Sequence, residues 1–203
     1  IEATGFNPFL CLIIVIPIMF AIGYMLQRGI LNYTLGDDLL PPLLVTFGLS
    51  IVIQNVLLEA FSADSQRLKA GTIETSSIQL TDGLSIGIFP LITLITAILM
   101  IVGLQQLFSL TRLGRAFRAT SDDATTAQLM GINHKHIFGL AMGLALSLVA
   151  IAGVLMAVRS NFDPSIGPAK LLYAFEAVII GGLGSLWGTL IGGIILGVAQ
   201  NIG

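Results

Sequence analysis

The sequence predicts an all-α fold, a polytopic transmembrane helical bundle with one short helix in a cytoplasmic loop. Of its 203 residues, 55% are hydrophobic and only 10% are charged, against about 25% charged in an ordinary soluble domain. Five stretches are nearly free of charge, each close to or above the ~20 residues that cross the hydrocarbon core. In hydrocarbon every backbone polar group must be paired within the segment, so each stretch is predicted to be a helix. The stretches are Phe9 to Leu26, Pro41 to Leu58, Gly83 to Leu110, Ile137 to Val158 and Leu171 to Gln200.

We interpret residues 1–203 as a single transmembrane domain. The chain starts at Ile1 and stops at Gly203 directly after an apolar run, so we expect it to be an internal piece of a longer polytopic protein that lacks N- and C-terminal spans. The first stretch is longer than the core of a signal peptide and is followed by no small-residue cleavage pattern, which predicts a permanent span. Pro17 and Pro90 lie within two stretches and are expected to kink a helix or to lie near its end.

The basic residues predict the orientation, because the loops that are richer in Lys and Arg face the cytoplasm. Loop 111–136 carries the largest group and is therefore placed inside, together with residues 27–40. The polar connection 62–82, with short strand or turn structure, and the turn-rich segment 159–170 are then outside. A net charge of −2 does not indicate a nucleic-acid partner. The basic residues of loop 111–136 are Arg112, Arg115, Arg118 and Lys135.

Loop 111–136 is expected to hold a capped helix. Thr120-Ser121-Asp122-Asp123 has the form of a capping box, which predicts a helix start at Thr120. Gly131 followed by Ile132 matches a left-handed C-cap, so the helix is predicted to be about ten residues long. Asp122 and Asp123 in its first turn suit the helix dipole. Two interpretations remain open: a surface helix whose Arg residues contact anionic lipid headgroups, or a rigid knob that docks into a cytoplasmic partner.

Several motifs occur in a fixed order along the chain. The loop contains Gly114-Arg115-Ala116-Phe117-Arg118-Ala119, then Asp122-Asp123, Ala127 and Gly131-Ile132-Asn133. Upstream are residues 46–50 with 54–55, and downstream are residues 153–155, 163–167, 177–188 and 192–197. Together these motifs resemble the permeases of branched-chain amino-acid ABC transporters, over most of the chain from about residue 44 onward.

The resemblance implies a permease subunit that moves branched-chain or related amino acids across a bacterial or archaeal plasma membrane. The implied partners are a second permease, cytoplasmic ATP-binding subunits, an extracytoplasmic substrate-binding protein and membrane lipid. No cofactor is implied for this chain, because the partner subunits use the ATP. The loop helix becomes a short cytoplasmic coupling helix, with ATPase-coupling residues Arg115, Arg118, Thr120, Asp122, Asp123, Ala127 and Gly131.

Polar residues within the spans are candidates for the substrate pathway. Thr46, Ser50 and Gln54 recur every four residues and so share one helix face, with Asn55 about 100° further round. Polar groups at membrane depth line a water-filled path or bond to another helix, and both readings stay open here. Glu176 is a further candidate, although it could also reach the membrane interface.

Glycines dominate the last stretch, and two structures are consistent with them. Small residues four apart allow close helix packing, whereas a cluster can also break the helix into a re-entrant segment. The cluster lacks the Lys and Ser or Thr of a phosphate loop. No catalytic set and no metal-ligand set is found, so we do not predict an enzyme. Urea or short-amide transport and an ion-coupled secondary transporter remain alternatives. The glycines concerned are Gly181, Gly182, Gly184, Gly188 and Gly192.

Overall fold

The computed structural model describes residues 8–36, 40–62, 64–65, 67–68, 77–81 and 84–202. Within these ranges the chain forms the predicted bundle of membrane-length helices. Four segments are long and apolar enough to cross a membrane, and a fifth consists of two helices joined at a sharp bend. In chain order the elements are α1 (Pro8–Gly29), a 3-10 turn (Leu31–Tyr33), α2 (Leu40–Phe61), β1 (Ser77–Thr81), β2 (Leu84–Gly87), α3 (Ile88–Leu110), α4 (Arg112–Asp122), α5 (Ala124–Leu129), α6 (His134–Arg159), α7 (Gly167–Gly181) and α8 (Leu186–Ile202).

The strand β1 lies in the connection 62–82, for which strand or turn structure was expected, and it pairs antiparallel with β2. Because β2 occupies residues 84–87, α3 begins at Ile88 and not at Gly83, so the start of the third predicted helix was wrong. Pro90 lies in the first turn of α3, where its missing N–H costs no helical hydrogen bond. Pro17 lies inside α1. The hydropathy of the run could not mark this boundary, since Leu84 and Ile86 are as apolar as the helix that follows.

The most extensive packing between two described elements joins α1 to α6. Glycines make the close approach possible. Gly143 lies against the ring of Phe20, Gly139 lies against the ring of Tyr24, and Gly23 faces the backbone of α6. Lipid tails are as apolar as the side chains, so membrane helices associate mainly through close packing of this kind. The result is a rigid pair of spans.

A small buried core joins α3 to the end of α6. It consists of Phe89, Leu155 and Val158, the last only 1% exposed. The connection after α2 is held at the same end, because the Leu68 amide donates to the carbonyl oxygen of Ala157 at 2.9 Å. The described residues Arg67 and Leu68 therefore lie beside the last turns of α6.

The turn after α1 lies at the opposite end of the same pair. Asn32 donates through Nδ2 to the carbonyl oxygen of Lys135, near the start of α6, at 3.2 Å. The described parts of the two loops predicted to share the cytoplasmic side, 27–40 and 111–136, thus lie at one end, and Leu68 of the connection 62–82 lies at the other. Which end faces the cytoplasm stays a prediction.

The helix α2 differs from the other long helices because none of its residues is buried against the described remainder of the chain. Large apolar side chains such as Leu44 and Phe47 are exposed along it. The helix is apolar all round, which indicates a segment surrounded by lipid or by other membrane helices.

Candidate functional site

The loop between α3 and α6 holds two consecutive short helices, α4 and α5. The Thr111 hydroxyl accepts a hydrogen bond from the Gly114 amide at 3.0 Å and so caps the start of α4. Arg118 Nη2 donates to the carbonyl oxygen of Phe108, in the last turn of α3, at 3.0 Å. A Cβ on Gly114 would overlap the backbone of Phe108. These contacts fix α4 firmly against the end of α3.

The predicted helix start at Thr120 was wrong. Thr120 lies inside α4, is only 3% exposed, and donates its hydroxyl proton to the carbonyl oxygen of Ala116 at 2.8 Å. A Thr can cap a helix only where the amides that follow lack helical partners. Because α4 has already started behind the Thr111 cap, no such amides are present at Thr120.

Asp123 is the residue that caps α5. It has an extended backbone, which separates α4 from α5, and its carboxylate accepts from the amides of Thr125 at 2.9 Å and Thr126 at 3.1 Å. The hydroxyls of both threonines donate to the same carboxylate. Hydrogen bonds to the charged form favour ionisation, so the pKa of Asp123 lies well below its ordinary value. The cap therefore stays charged at any physiological pH.

Gly131 ends α5 as the sequence predicts, with a left-handed φ of +85°. Its amide donates to the carbonyl oxygen of Gln128, and the amide of Ile132 donates to that of Ala127, both at 3.0 Å. This pair of bonds is a Schellman motif, which a residue with a Cβ adopts only under strain. With both caps in place α5 has six residues, so the expected length of about ten was wrong.

The two caps present a pair of bulky apolar side chains to solvent. Leu129 and Met130 are 87% and 81% exposed, whereas Ala127 is buried at the base of α5. Arg115 and Asp122 are exposed on α4. Leu129 and Met130 were not identified as candidate functional residues from the sequence. Their position directly before the capping glycine, in an otherwise polar loop, is the signal that could have identified them.

The last apolar stretch is broken. The helices α7 and α8 meet at a bend of 117°, with Gly182 and Gly184 in left-handed conformations at the turn. The Ser185 hydroxyl accepts from the Gly188 amide at 3.0 Å and caps α8. Trp187 donates through Nε1 to Gln105 Oε1 on α3 at 2.7 Å, which ties the turn to that helix.

The same glycines also allow α7 and α8 to pack backbone to backbone. A Cβ on Gly181 would overlap the backbone of Gly188, and one on Gly188 would overlap the carbonyl of Gly181. A Cβ on Gly192 would overlap the carbonyl oxygen of Ala177. The break and the close packing, which were alternatives in the sequence, therefore occur together.

A cavity of about 510 Å³ lies between α3, α6 and α8. Its lining is almost entirely apolar. The Thr93 and Thr189 hydroxyls donate to carbonyl oxygens of their own helices, and Arg159 is the charged residue among those that line the cavity. The sequence does not predict this cavity, because no face of α3 is markedly more polar than the others. Its other lining residues are Phe89, Ala97, Met100, Ile101, Leu104, Leu148, Ala152, Leu155, Met156 and Leu190.

Comparison with known proteins identifies the family. Residues 3–203 match the family model described as the branched-chain amino acid transport system permease component. The chain belongs to this permease family. It is therefore a multi-pass plasma-membrane protein, and its family is one of transport permeases and not of enzymes.

The permease is similar to several curated proteins. It is 32% identical over 188 residues to the high-affinity branched-chain amino acid transport system permease protein BraD of Pseudomonas aeruginosa. This match covers 90% of the chain and 61% of BraD. It is 31% identical over 194 residues to LivH of Escherichia coli, covering 92% and 62%. A shorter match, 36% over 98 residues, covers 45% of the permease and 30% of the ribose import permease RbsC of Escherichia coli. The chain thus spans about three fifths of its full-length relatives. No solved structure matches it.

The pathway residues predicted for this permease are not brought together. Thr46 and Asn55 lie on α2 and donate to carbonyl oxygens of their own helix, at 2.9 and 2.8 Å. Ser50 is exposed and Gln54 half-buried on the same helix, and Glu176 is exposed within α7. None of the five lines the cavity between α3, α6 and α8. Their part in transport stays a prediction.

Proposed function

We propose that the complete protein is the membrane-spanning permease subunit of an ATP-driven importer for branched-chain or related amino acids. In this proposal it pairs with a second permease, two cytoplasmic ATP-binding subunits dock beneath the pair, and an extracytoplasmic binding protein delivers the substrate. ATP is hydrolysed on the partner subunits, so this chain itself holds no cofactor. The names of BraD and LivH, which describe branched-chain amino acid transport permeases, support the substrate class.

The docking segment, defined as α4 and α5 (residues 112–129) with the cap residues Met130 and Gly131, carries this proposal. A transporter that is driven by an ion gradient does not need a rigid loop helix with a cap at both ends. Here two bulky apolar side chains, Leu129 and Met130, project from such a helix and are almost fully exposed. Adjacent exposed apolar side chains on a protruding loop are consistent with a surface that another protein covers.

The docking segment contacts two of the three helices that border the large cavity, α3 and α6. On α4, the Phe117 ring packs edge-on against Phe108 of α3 with centroids 5.7 Å apart. The same ring shares a small apolar cavity with Ala141 and Leu144 of α6. A force applied to α5 would therefore reach α3 and α6 together. Movement of these two helices would change the cavity that they form with α8.

The cavity itself supports an amino acid with an apolar side chain as the substrate. Its volume falls within the ~300–1,000 Å³ of small-molecule sites, and its walls are apolar. The guanidinium of Arg159 is suited to a carboxylate, which it can bind through two parallel hydrogen bonds. We infer that the cavity is part of the transport path and that Arg159 receives the substrate carboxylate.

Coupling is tested by changing the cap of α5. The full-length permease is reconstituted in proteoliposomes with its partner permease, ATP-binding subunits and binding protein. Gly131→Val should reduce ATP-driven uptake and substrate-stimulated ATPase activity at least about tenfold, because a β-branched residue resists the left-handed conformation. Gly131→Asn, the matched control, tolerates that conformation and should keep most of the activity. Normal coupling in the Val variant would rule out the docking role.

The cargo is tested in the same vesicles with radiolabelled leucine, urea and ribose, with and without ATP at the cytoplasmic face. ATP-dependent uptake of leucine alone supports the proposal. ATP-dependent uptake of urea or ribose would retain the importer and overturn its substrate class. Uptake that follows an ion gradient without ATP would overturn the importer itself.

A further inference from the structure

A polar hollow, separate from the apolar cavity, lies at the opposite end of the α1–α6 pair from Arg159. It has a volume of about 170 Å³ and lies between the end of α1, the 3-10 turn that follows and the start of α6. No Asp or Glu is among the described residues that line it. Asp37 and Asp38, the acidic residues nearest to it in sequence, are outside the described ranges. The lining residues are Arg28, Asn32, Tyr33, Asn133, Lys135 and His136.

We propose that this hollow, the α1–α6 basic pocket, binds the phosphate group of an anionic phospholipid of the adjacent membrane leaflet. Two basic residues, Arg28 and Lys135, line it from different elements, and His136 adds an imidazole. The pocket also lies at the N-terminus of α6, a helix of 26 residues, whose dipole favours negative charge. The proposal rests on the helices being membrane spans and is independent of what the protein transports.

Arg28, His136 and Asn32 are held in place by contacts within the protein. The Tyr24 hydroxyl accepts a hydrogen bond from Arg28 Nη1 at 2.7 Å and is bonded to His136 Nδ1 at 2.8 Å. A guanidinium has five N–H donors, so Arg28 keeps donors for a ligand after this bond is made. Asn32 is fixed as well, because Gln27 Nε2 donates to its Oδ1 at 3.1 Å. The pocket is thus organised before a ligand arrives.

The position of the pocket favours a lipid headgroup over a free anion. It lies where one span ends and another begins, which is the level of the headgroups. Tyr33 is 84% exposed beside it, and Tyr is typical of the membrane–water interface. Ile30 and Leu35 are exposed on either side of the 3-10 turn, where acyl chains could cover them. Basic pockets between spans are a known way of recognising anionic lipids.

The test measures lipid binding to the full-length permease in detergent by native mass spectrometry, with dioleoyl phosphatidylglycerol and dioleoyl phosphatidylcholine. Phosphatidylglycerol should bind at least about tenfold more tightly. Lys135→Gln should raise its Kd about fivefold, the equivalent of ~1 kcal/mol for one surface cation. The matched control is Lys170→Gln, which removes an exposed lysine at the other end of the bundle and should leave the Kd unchanged. Equal unfolding temperatures of the two variants in phosphatidylcholine show that both remain folded.

Three results would overturn the proposal. Equal affinity for the two lipids would show that the pocket does not recognise the anionic headgroup. An equal loss in Lys170→Gln and Lys135→Gln would show that only net charge matters. Inorganic phosphate that displaces the lipid at a comparable concentration would show that the pocket binds a free anion.

Discussion

Two helix pairs in this permease are built on glycines four residues apart, and they use them differently. Between α1 and α6, Gly139 and Gly143 make room for the rings of Tyr24 and Phe20. Between α7 and α8, Gly188 and Gly192 bring the backbone of α8 directly against the backbone of α7. A ring can shift by a few tenths of an ångström, whereas a backbone carbonyl in a helix cannot. The same small-residue pattern therefore predicts close packing in both places, but a different tolerance of substitution in each.

The largest effect should come from Gly188→Ala. Its Cβ would overlap the Gly181 carbonyl, so α7 and α8 would have to separate. Overpacking typically costs ~1–3 kcal/mol, and a clash between two backbones should lie at or above the top of that range. Thermal unfolding of the full-length permease in detergent measures the loss. Stability close to that of the wild type would show that the α7–α8 contact is loose in solution.

Gly23→Ala should have the next largest effect, because Gly23 is where the α1–α6 pair also brings backbone to backbone. The added Cβ would lie 2.7 Å from the carbonyl oxygen of Met142. We expect the free energy of unfolding to fall by ~2 kcal/mol. Thermal unfolding in the same detergent measures this loss. If Gly23→Ala destabilises the protein less than Gly139→Ala does, backbone contacts tolerate an added Cβ better than ring contacts, contrary to this proposal.

Gly139→Ala should cost less, about 1 kcal/mol, since its Cβ would meet the ring of Tyr24 at 2.8 Å. The ring can yield only by weakening its hydrogen bonds to Arg28 and His136. A double-mutant cycle sharpens the comparison: in a Tyr24→Ala background, Gly139→Ala should cost nothing. If both single losses simply add, the ring is not what limits the size of residue 139.

The smallest effect should come from Gly193→Ala, the matched control within α8. No described atom lies within 4 Å of its Cβ position. Replacing Gly by Ala inside a helix favours the helix by up to ~1 kcal/mol, so stability should be unchanged or slightly raised. A large loss in the assembled importer, but not in the isolated permease, would place another subunit against this face.

The loop between α3 and α6 shows how far local reasoning reached. Gly131 was predicted as a left-handed cap and is one, because the glycine and the apolar residue after it are sufficient for the motif. Thr120 was predicted as the N-cap and is not, because a stronger start nine residues earlier, at Thr111, had already formed the helix. Whether a residue with a capping sequence becomes the N-cap depends on whether a helix has already started upstream. Here that depends on how α4 packs on α3.

The sequence by itself determined that this chain crosses the membrane several times as helices, since hydropathy and the need to pair every backbone group act within each segment. Only the tertiary structure decided which glycines meet a ring, which meet a backbone, and that a cavity lies between α3, α6 and α8. The physical reason is that the spans are apolar on all sides. Because polar and apolar faces do not alternate, the sequence contains no periodic pattern that indicates which side of a helix contacts its neighbour.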